Sequence, residues 1–195
     1  FTVRGRQSAY VIDHDGKPDL LCTQGTLWDV SQRTRPGHHD RLFRNHLGNS
    51  FVEVSEAALI ANETGFGQGV SAGDLNNDGF ADLYVANTGR NTVWLNNGDG
   101  TFTDRSAALP TDTSDWTTSC LIADLNGDSV PDLYDVNYLA GSDVFDRTCT
   151  EEHGDTIMCA PYDFEAAVDR FWLGDGTGGF RDATSDVLTP APKGK

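Results

Sequence analysis

The sequence predicts an all-β chain that folds as a propeller-type array of about three four-stranded antiparallel blades. Three observations support this prediction. A strand–loop–strand pattern occurs three times, starting near Ala9, Gly69 and Ser119. Short β-branched and aromatic runs are bounded by Gly and Asn turns, and helix-periodic stretches are few. Four antiparallel strands in each repeat are the composition of a propeller blade.

The second copy of the pattern predicts its strands most clearly. Apolar and β-branched runs at residues 70–72, 83–85, 93–95 and 102–103 predict four strands. The Asn-Gly-Asp-Gly run at residues 97–100 is typical of a hairpin turn between the third and fourth strands, because these residues tolerate positive φ.

We interpret residues 1–195 as a single repeat array. Its predicted parts are an orphan N-terminal strand (1–8), three blades (9–60, 66–110 and 116–187) and a tail (188–195). Three blades do not close a propeller, which has about four to eight. We therefore expect the array to be open unless other repeats of a longer chain complete it or the chain self-associates through its exposed edges.

The charge of the chain excludes some classes of partner. Fourteen Lys and Arg against 30 Asp and Glu give a formal net charge of −16. Such an acidic surface repels phosphate backbones and anionic lipids, so a nucleic-acid partner is not expected. No apolar run approaches the roughly 18 residues of a membrane span, so membrane insertion is not expected either. An acidic surface does attract divalent cations.

The loop after the first strand of the second copy has the spacing of a calcium site. Calcium takes six to eight oxygen ligands, and alternate residues of a coiled loop point toward one centre. The predicted ligands are Asp74, Asn76, Asp78, the carbonyl of Phe80, and Asp82. Gly79 permits the sharp bend. An EF-hand is excluded because Val85, instead of the bidentate Glu, stands at position 12.

The other two copies vary this loop. In the third copy the predicted ligands are Asp124, Asn126, Asp128, the carbonyl of Val130, and Asp132. Ser129 replaces the glycine, so we expect either a strained backbone or a shifted bend, and a weaker site. We interpret the loop of the first copy as shortened by two residues, with Asp13, Asp15 and Asp19 as its carboxylates. Two bound calcium ions are expected, and a third site in the first copy is left open.

The second copy resembles the FG-GAP/VCBS repeat, the unit of integrin-α-type β-propellers and of many secreted bacterial proteins. The residues that carry the resemblance are DLNNDGFADLYVAN and WLNNGDGTF. The third copy resembles the subgroup found with ASPIC/UnbV domains, through Asn137-Tyr138, Cys149, Cys159-Ala160-Pro161 and Asp169-Arg170-Phe171-Trp172. The resemblance covers nearly the whole chain. It implies calcium-stabilised blades in an extracellular or periplasmic protein of adhesion or assembly, and no common catalytic activity.

The four cysteines lack the CxxC spacing of zinc sites, which favours disulfides. Cys149 and Cys159 lie in the longest insertion, where a disulfide would hold the loop together; a redox-active pair is the alternative. Cys22 and Cys120 are interpreted either as buried thiols or as partners between chains. Asn62 begins a glycosylation sequon. Together these features indicate a location outside the cytoplasm.

The sequence thus predicts an extracellular calcium-binding β-repeat module that serves self-assembly, as a filament or multimer, or adhesion. An enzyme is not expected, because no Ser-His-Asp order, phosphate loop or carboxylate dyad stands apart from the calcium loops. The alternative is a ligand- or carbohydrate-binding propeller fragment, or a non-catalytic accessory domain of an enzyme. Insertions opposite the calcium loops are then the expected binding face for an extracellular protein or glycan.

Overall fold

Antiparallel strands dominate the structure, a computed structural model that describes residues 7–194 except 11, 14, 26–38, 47, 49, 62–64, 110–114, 142, 145 and 191. The sequon at Asn62 and residues 1–6 of the predicted orphan strand lie outside the described residues. The first strand begins at Gln7, so Gln7 and Ser8 belong to the first sheet and not to the predicted orphan strand.

Three four-stranded antiparallel sheets follow one another along the chain, as predicted. The first sheet contains β1 (Gln7–Tyr10), β2 (Asp19–Cys22), β3 (Arg41–His46) and β4 (Ser50–Glu53). The second contains β5 (Phe66–Gly73), β6 (Asp82–Thr88), β7 (Thr92–Asn96) and β8 (Phe102–Asp104). The third contains β9 (Thr117–Ala123), β10 (Asp132–Asn137), β15 (Arg170–Gly174) and β16 (Phe180–Asp182).

The predicted long insertion lies between β10 and β15. It contains two small antiparallel pairs: β11 (Leu139–Ala140) with β14 (Glu165–Ala166), and β12 (Thr148–Thr150) with β13 (Thr156–Met158). Short 3-10 turns span Ser106–Ala108 and Pro161–Asp163, and α1 spans Thr184–Val187. Because the chain reverses at each strand end, this insertion leaves the sheet at the end opposite the β9–β10 loop.

The hydrophobic core lies between successive sheets. Leu21 and Leu42 of the first sheet pack with Val85 and Trp94 of the second. On the other face of the second sheet, a separate cluster joins it to the third sheet through residues that include Tyr84, Val93, Leu133 and Trp172. Strand β6 is therefore buried along its whole length. Burial of each large apolar side chain contributes about 1.5–3 kcal/mol.

The first strands of the second and third sheets approach each other closely. A Cβ atom added at Gly69 would lie 3.0 Å from the Cα of Ser119, and one added at Gly73 would lie 2.6 Å from Cγ2 of Ile122. A side chain at either position of β5 would therefore force β9 or its side chains to shift. Convergence of the first strands is what a radial, propeller-type arrangement of sheets requires.

A buried carboxylate links the second and third sheets. The hydroxyl of Tyr84 donates to Oδ1 of Asp135 (2.5 Å), and Nε1 of Trp172 donates to Oδ2 (2.8 Å). Asn91 also donates to Oδ2, at 3.2 Å. Burial raises the pKa of Asp135 to about 6, against the lowering effect of the Tyr84 and Trp172 hydrogen bonds. The folded chain thus binds a proton at Asp135 more tightly than the unfolded chain does.

This proton affinity gives a testable dependence of stability on pH. Because the pKa of Asp135 is raised from 3.8 to about 6 on folding, this group stabilises the folded state fully at pH values below 3.8. The stabilisation is lost as the pH rises through about 6. Asp135→Asn removes the titration. We expect the unfolding free energy of the wild type, relative to this variant, to fall by on the order of 1–3 kcal/mol between about pH 4 and 7. Urea denaturation measures the difference, and a difference that does not change with pH would contradict the assignment.

Candidate metal loops

The three loops that join the first and second strands have the same length. They are loop 1 (residues 11–18), loop 2 (residues 74–81) and loop 3 (residues 124–131). The strand pairs that flank them are Tyr10–Asp19, Gly73–Asp82 and Ala123–Asp132. The predicted shortening of the first loop is wrong. Asp13 is the first Asp of loop 1 but not its first residue, because Val11 stands where loops 2 and 3 have Asp74 and Asp124.

Each loop is closed by a buried Asp that accepts two backbone N–H groups. Asp82 is fully buried, and its oxygens accept from the amides of Leu75 (2.7 Å) and Asn96 (2.7 Å). The equivalent bonds run from Leu125 (3.0 Å) and Gly174 (3.1 Å) to Asp132, and from Ile12 (3.1 Å) and Asn45 (2.8 Å) to Asp19. The closing Asp therefore ties its loop to the third strand. Desolvation raises the pKa of Asp82 to about 6 and also raises that of Asp19.

The structure brings three of the predicted ligands of loop 2 together above the closing Asp. Oδ2 of Asp74 accepts from the amide of Gly79 at 2.9 Å, across the loop. The side-chain Nδ2 of Asn76 donates to Oδ2 of Asp78 at 2.8 Å. Gly79 has a φ of 90°, the conformation predicted for the bend. Asp74, Asn76 and Asp78 are thus linked by hydrogen bonds within the loop, whereas the oxygens of Asp82 accept backbone N–H groups.

Loop 3 repeats this arrangement. Oδ2 of Asp124 accepts from the backbone amide of Ser129 at 2.9 Å. The side-chain Nδ2 of Asn126 donates to Oδ2 of Asp128 at 2.9 Å. Ser129 adopts a φ of 69°, which confirms the expected strain at the position where loop 2 has glycine. The left-handed conformation costs a non-glycine residue about 1–2 kcal/mol. That the carbonyls of Phe80 and Val130 act as ligands stays a prediction.

Loop 1 keeps the two hydrogen bonds of the closing Asp but carries different charges. Asp13 and Asp15 occupy the positions of Asn76 and Asp78, since Asp15 donates its amide to Oδ1 of Asp13 (3.1 Å) as Asp78 does to Asn76 (3.2 Å). Nζ of Lys17 lies 2.8 Å from Oδ2 of Asp15, and Nε of Arg44 lies 2.8 Å from Oδ2 of Asp13. The hydrogen bond to Lys17 lowers the pKa of Asp15.

The donor atoms define the chemistry that these loops can support. Loops 2 and 3 each present two carboxylates and one amide oxygen at a mostly exposed site. Oxygen donors of this kind suit hard cations such as calcium and magnesium, which accept water in their remaining positions. Within the described part of the chain, no Lys or Arg forms an ion pair with a carboxylate of loop 2 or loop 3. In the same part of the chain, the carboxylates of loop 1 are paired with Lys17 of the loop and with Arg44 of β3.

Two further sets of repeated polar contacts were not found by sequence reasoning. In the first set, the side chain of the residue just before each third strand accepts a hydrogen bond from a backbone amide near the end of the second strand. The donor and acceptor pairs are Gln24 and Asp40 (2.7 Å), Asn87 and Asn91 (2.8 Å), and Asn137 and Asp169 (2.8 Å). A hydroxyl after each fourth strand accepts from the third: Leu42 to Ser55, Val93 to Ser106 and Phe171 to Thr184. The Asp-Arg pairs at 40–41 and 169–170 could have indicated the first set of contacts. The second copy has Asn91 at this position, so the three copies do not share one residue type there.

The insertion of the third sheet is stapled as predicted. Cys149 and Cys159 form a disulfide beside β12 and β13, and Leu139 and Phe164 complete a small apolar cluster with them. Cys22 and Cys120 are free and half-buried within the chain. Burial raises the pKa of both thiols, that of Cys120 to about 12, which makes them poor nucleophiles.

A cavity of about 310 Å³ lies where this insertion meets the third sheet. Its lining combines apolar residues such as Leu139 and Ala167 with the guanidinium of Arg170. Arg170 lies between Asp115 (3.2 Å) and Asp182 (3.6 Å). The carboxylates of Asp115 and Asp182 accept hydrogen bonds, and the guanidinium of Arg170 between them donates. Such groups beside an apolar surface are chemically suited to a small polyhydroxyl ligand.

In a comparison with models of known protein families, the chain matches a family described as an FG-GAP-like repeat. It covers residues 12–85 and 74–134, more than half of the 195 residues, and includes most of loop 1 and all of loops 2 and 3. A search of curated proteins found no match. The finer resemblance of the third copy to the ASPIC/UnbV-associated subgroup stays a prediction.

The role of the closing Asp can be tested without any metal. Asp82→Ala leaves two buried N–H groups without an acceptor, each at a cost of about 1–3 kcal/mol. We expect the unfolding free energy in chelator to fall by about 2–4 kcal/mol, and by less in Asp82→Asn. The matched control is Asp78→Ala at the exposed part of the same loop, for which we expect a change within about 0.5 kcal/mol. Equal losses in Asp82→Ala and Asp78→Ala would refute this division of roles.

Proposed function

Because the chain belongs to the FG-GAP-like repeat family, we propose that it is a non-catalytic, extracellular calcium-binding β-repeat module that serves self-assembly or adhesion. The observation that carries the proposal is the repeated cluster of exposed side-chain oxygens on an identical frame. In loop 2 the proposed side-chain ligands are Asp74, Asn76 and Asp78. In loop 3 they are Asp124, Asn126 and Asp128.

The charge of the loops supports calcium as the ligand. The carboxylates of Asp74, Asp78 and Asp82 lie within one short loop or at its base, and they repel one another without a counterion. Bound calcium would supply two positive charges and join the side chains that the loop already holds together. The chain's own contribution is to orient the carboxylates of Asp74 and Asp78 through the backbone amides of Gly79 and Phe80. Modules in calcium-rich surroundings bind at about 10⁻⁴–10⁻³ M, which tolerates such an exposed site.

Two features support a location outside the cell. The Cys149–Cys159 disulfide suits an oxidising compartment. The net charge of −16 favours solubility in a calcium-containing medium. As a separate observation, the described part of the chain contains no helix that could span a bilayer.

An incompletely covered sheet face supports self-assembly. Ile12, Leu75 and Leu125 occupy equivalent positions, each seven residues before its closing Asp. Ile12 and Leu75 are 4% and 1% exposed under the next sheet, but Leu125 is 40% exposed. Leu121 and Val136 of the third sheet are exposed as well. Another sheet with the same pattern, such as one from a second copy, fits this face.

The calcium proposal predicts a stability that depends on the metal. With free calcium at about 100 times the dissociation constant, each site stabilises the fold by about 2.7 kcal/mol. We expect chelator to lower the melting temperature by on the order of 10 °C. Asp74→Ala combined with Asp124→Ala removes most of this shift, whereas exposed Asp186→Ala on α1 leaves it unchanged. A wild type whose melting temperature is the same in calcium and in chelator would refute the proposal.

The assembly proposal predicts a concentration-dependent mass. In calcium, light scattering of the wild type detects particles larger than one chain. Leu121→Lys places a charge on the uncovered face of the third sheet, so we expect it to weaken association at least tenfold. The control is Val187→Lys, at an exposed apolar residue of α1, which leaves association unchanged. A wild type that stays monomeric at all concentrations excludes self-assembly and favours the ligand-binding alternative, for which the cavity beside Arg170 is the candidate site.

A further inference from the structure

We infer that loop 1 is held by two side-chain cations, Lys17 and Arg44, which replace the calcium ion proposed for loops 2 and 3. The inference rests on the proposed function and deepens it, because it sets the number of ions per chain and the part of the fold that depends on them. It also proposes an answer to the question that the sequence leaves open for Asp13, Asp15 and Asp19.

Three equivalent positions differ together between loop 1 and the other two loops. The positions are defined by the closing Asp and by the third-strand residue that donates to it. The residues, in the order of loops 1, 2 and 3, are Val11, Asp74 and Asp124; Lys17, Phe80 and Val130; and Arg44, Leu95 and Leu173. Loop 1 thus loses one carboxylate and gains two cations at positions that are apolar in loops 2 and 3.

The two cations lie on the carboxylates that would otherwise bind metal. Lys17 approaches Asp15 at 2.8 Å from within the loop, and Arg44 approaches Asp13 at 2.8 Å from β3. The remaining oxygens of these carboxylates accept backbone amides, from Lys17 to Asp15 (2.8 Å) and from Asp15 to Asp13 (3.1 Å). A metal ion at this site would have to displace both ion pairs.

The charges of the three loops agree with this replacement. Loop 2, counted with Asp82, carries three carboxylates, and loop 3, counted with Asp132, carries three as well. Each has a formal charge of −3, which one calcium ion brings to −1. Loop 1, counted with Asp19 and Arg44, carries three carboxylates and two cations, so its charge is already −1. Exposed ion pairs stabilise little individually, so the cations act here mainly by relieving repulsion between the carboxylates.

The first test is the number of calcium ions bound, measured by isothermal titration calorimetry. We expect two ions per wild-type chain. The triple variant Val11→Asp, Lys17→Phe, Arg44→Leu gives loop 1 the pattern of loop 2, and we expect it to bind three. The double variant Asp13→Asn, Asp15→Asn keeps two, whereas Asp74→Ala lowers the number to one.

These outcomes separate the inference from the proposed function. A wild type that binds three ions, or a loss of one ion in Asp13→Asn, Asp15→Asn, overturns the inference and leaves calcium binding intact. A triple variant that is folded by circular dichroism but still binds two ions also overturns it. A wild type that binds no calcium overturns both.

The second test uses the wild type alone. The amides of Ile12, Leu75 and Leu125 make equivalent hydrogen bonds to the three closing Asp side chains. Residue-resolved hydrogen exchange compares these amides in calcium and in chelator. We expect chelator to speed exchange of Leu75 and Leu125 at least tenfold and to leave Ile12 unchanged. Equal acceleration at all three amides would overturn the inference.

Discussion

The structure depends above all on a buried carboxylate that accepts two backbone N–H groups at the start of each second strand. In the second sheet this group is Asp82, and it joins the loop amide of Leu75 to the third-strand amide of Asn96. A carboxylate buried at this point is costly, but the two donors compensate it and fix the distance between the loop and the third strand. Asp19 and Asp132 make the same two contacts, so all three loops are tied to their third strands in the same way.

Much of this could be predicted from the sequence, because the strands and turns follow local patterns. Residues 83–85 and 93–95 are short apolar runs of the kind that form buried strands, and Gly79 marks the bend. The role of Asp82 could not be predicted, since a sequence motif does not distinguish an Asp that points into a loop from one that faces the backbone. The length of the first loop was misjudged for a related reason: Asp13 resembles the first ligand, whereas the register of β1 and β2 places it at the third position.

The pattern of contacts with Asp135 could not be predicted either. Its partners Tyr84, Asn91 and Trp172 are between 37 and 51 residues away in the chain, and no periodicity connects residues at such separations. The three sheets are therefore alike in their backbone frames and different in what lies between them. Apolar packing and one buried hydrogen bond, from the side-chain amide of Asn96 to the carbonyl of Ile12, join the first and second sheets. The second and third sheets share apolar packing and the polar network around Asp135.

The separation of a buried frame from exposed loop side chains has an evolutionary consequence. The frame is built from backbone amides and one closing Asp, so it does not depend on the identity of residues such as Lys17, Phe80 or Val130. Under the proposed function, mutations at the loop surface can therefore change what a repeat binds while the repeated unit keeps its shape. A chain made from such units can acquire or lose an ion site one repeat at a time, without passing through an unfolded ancestor.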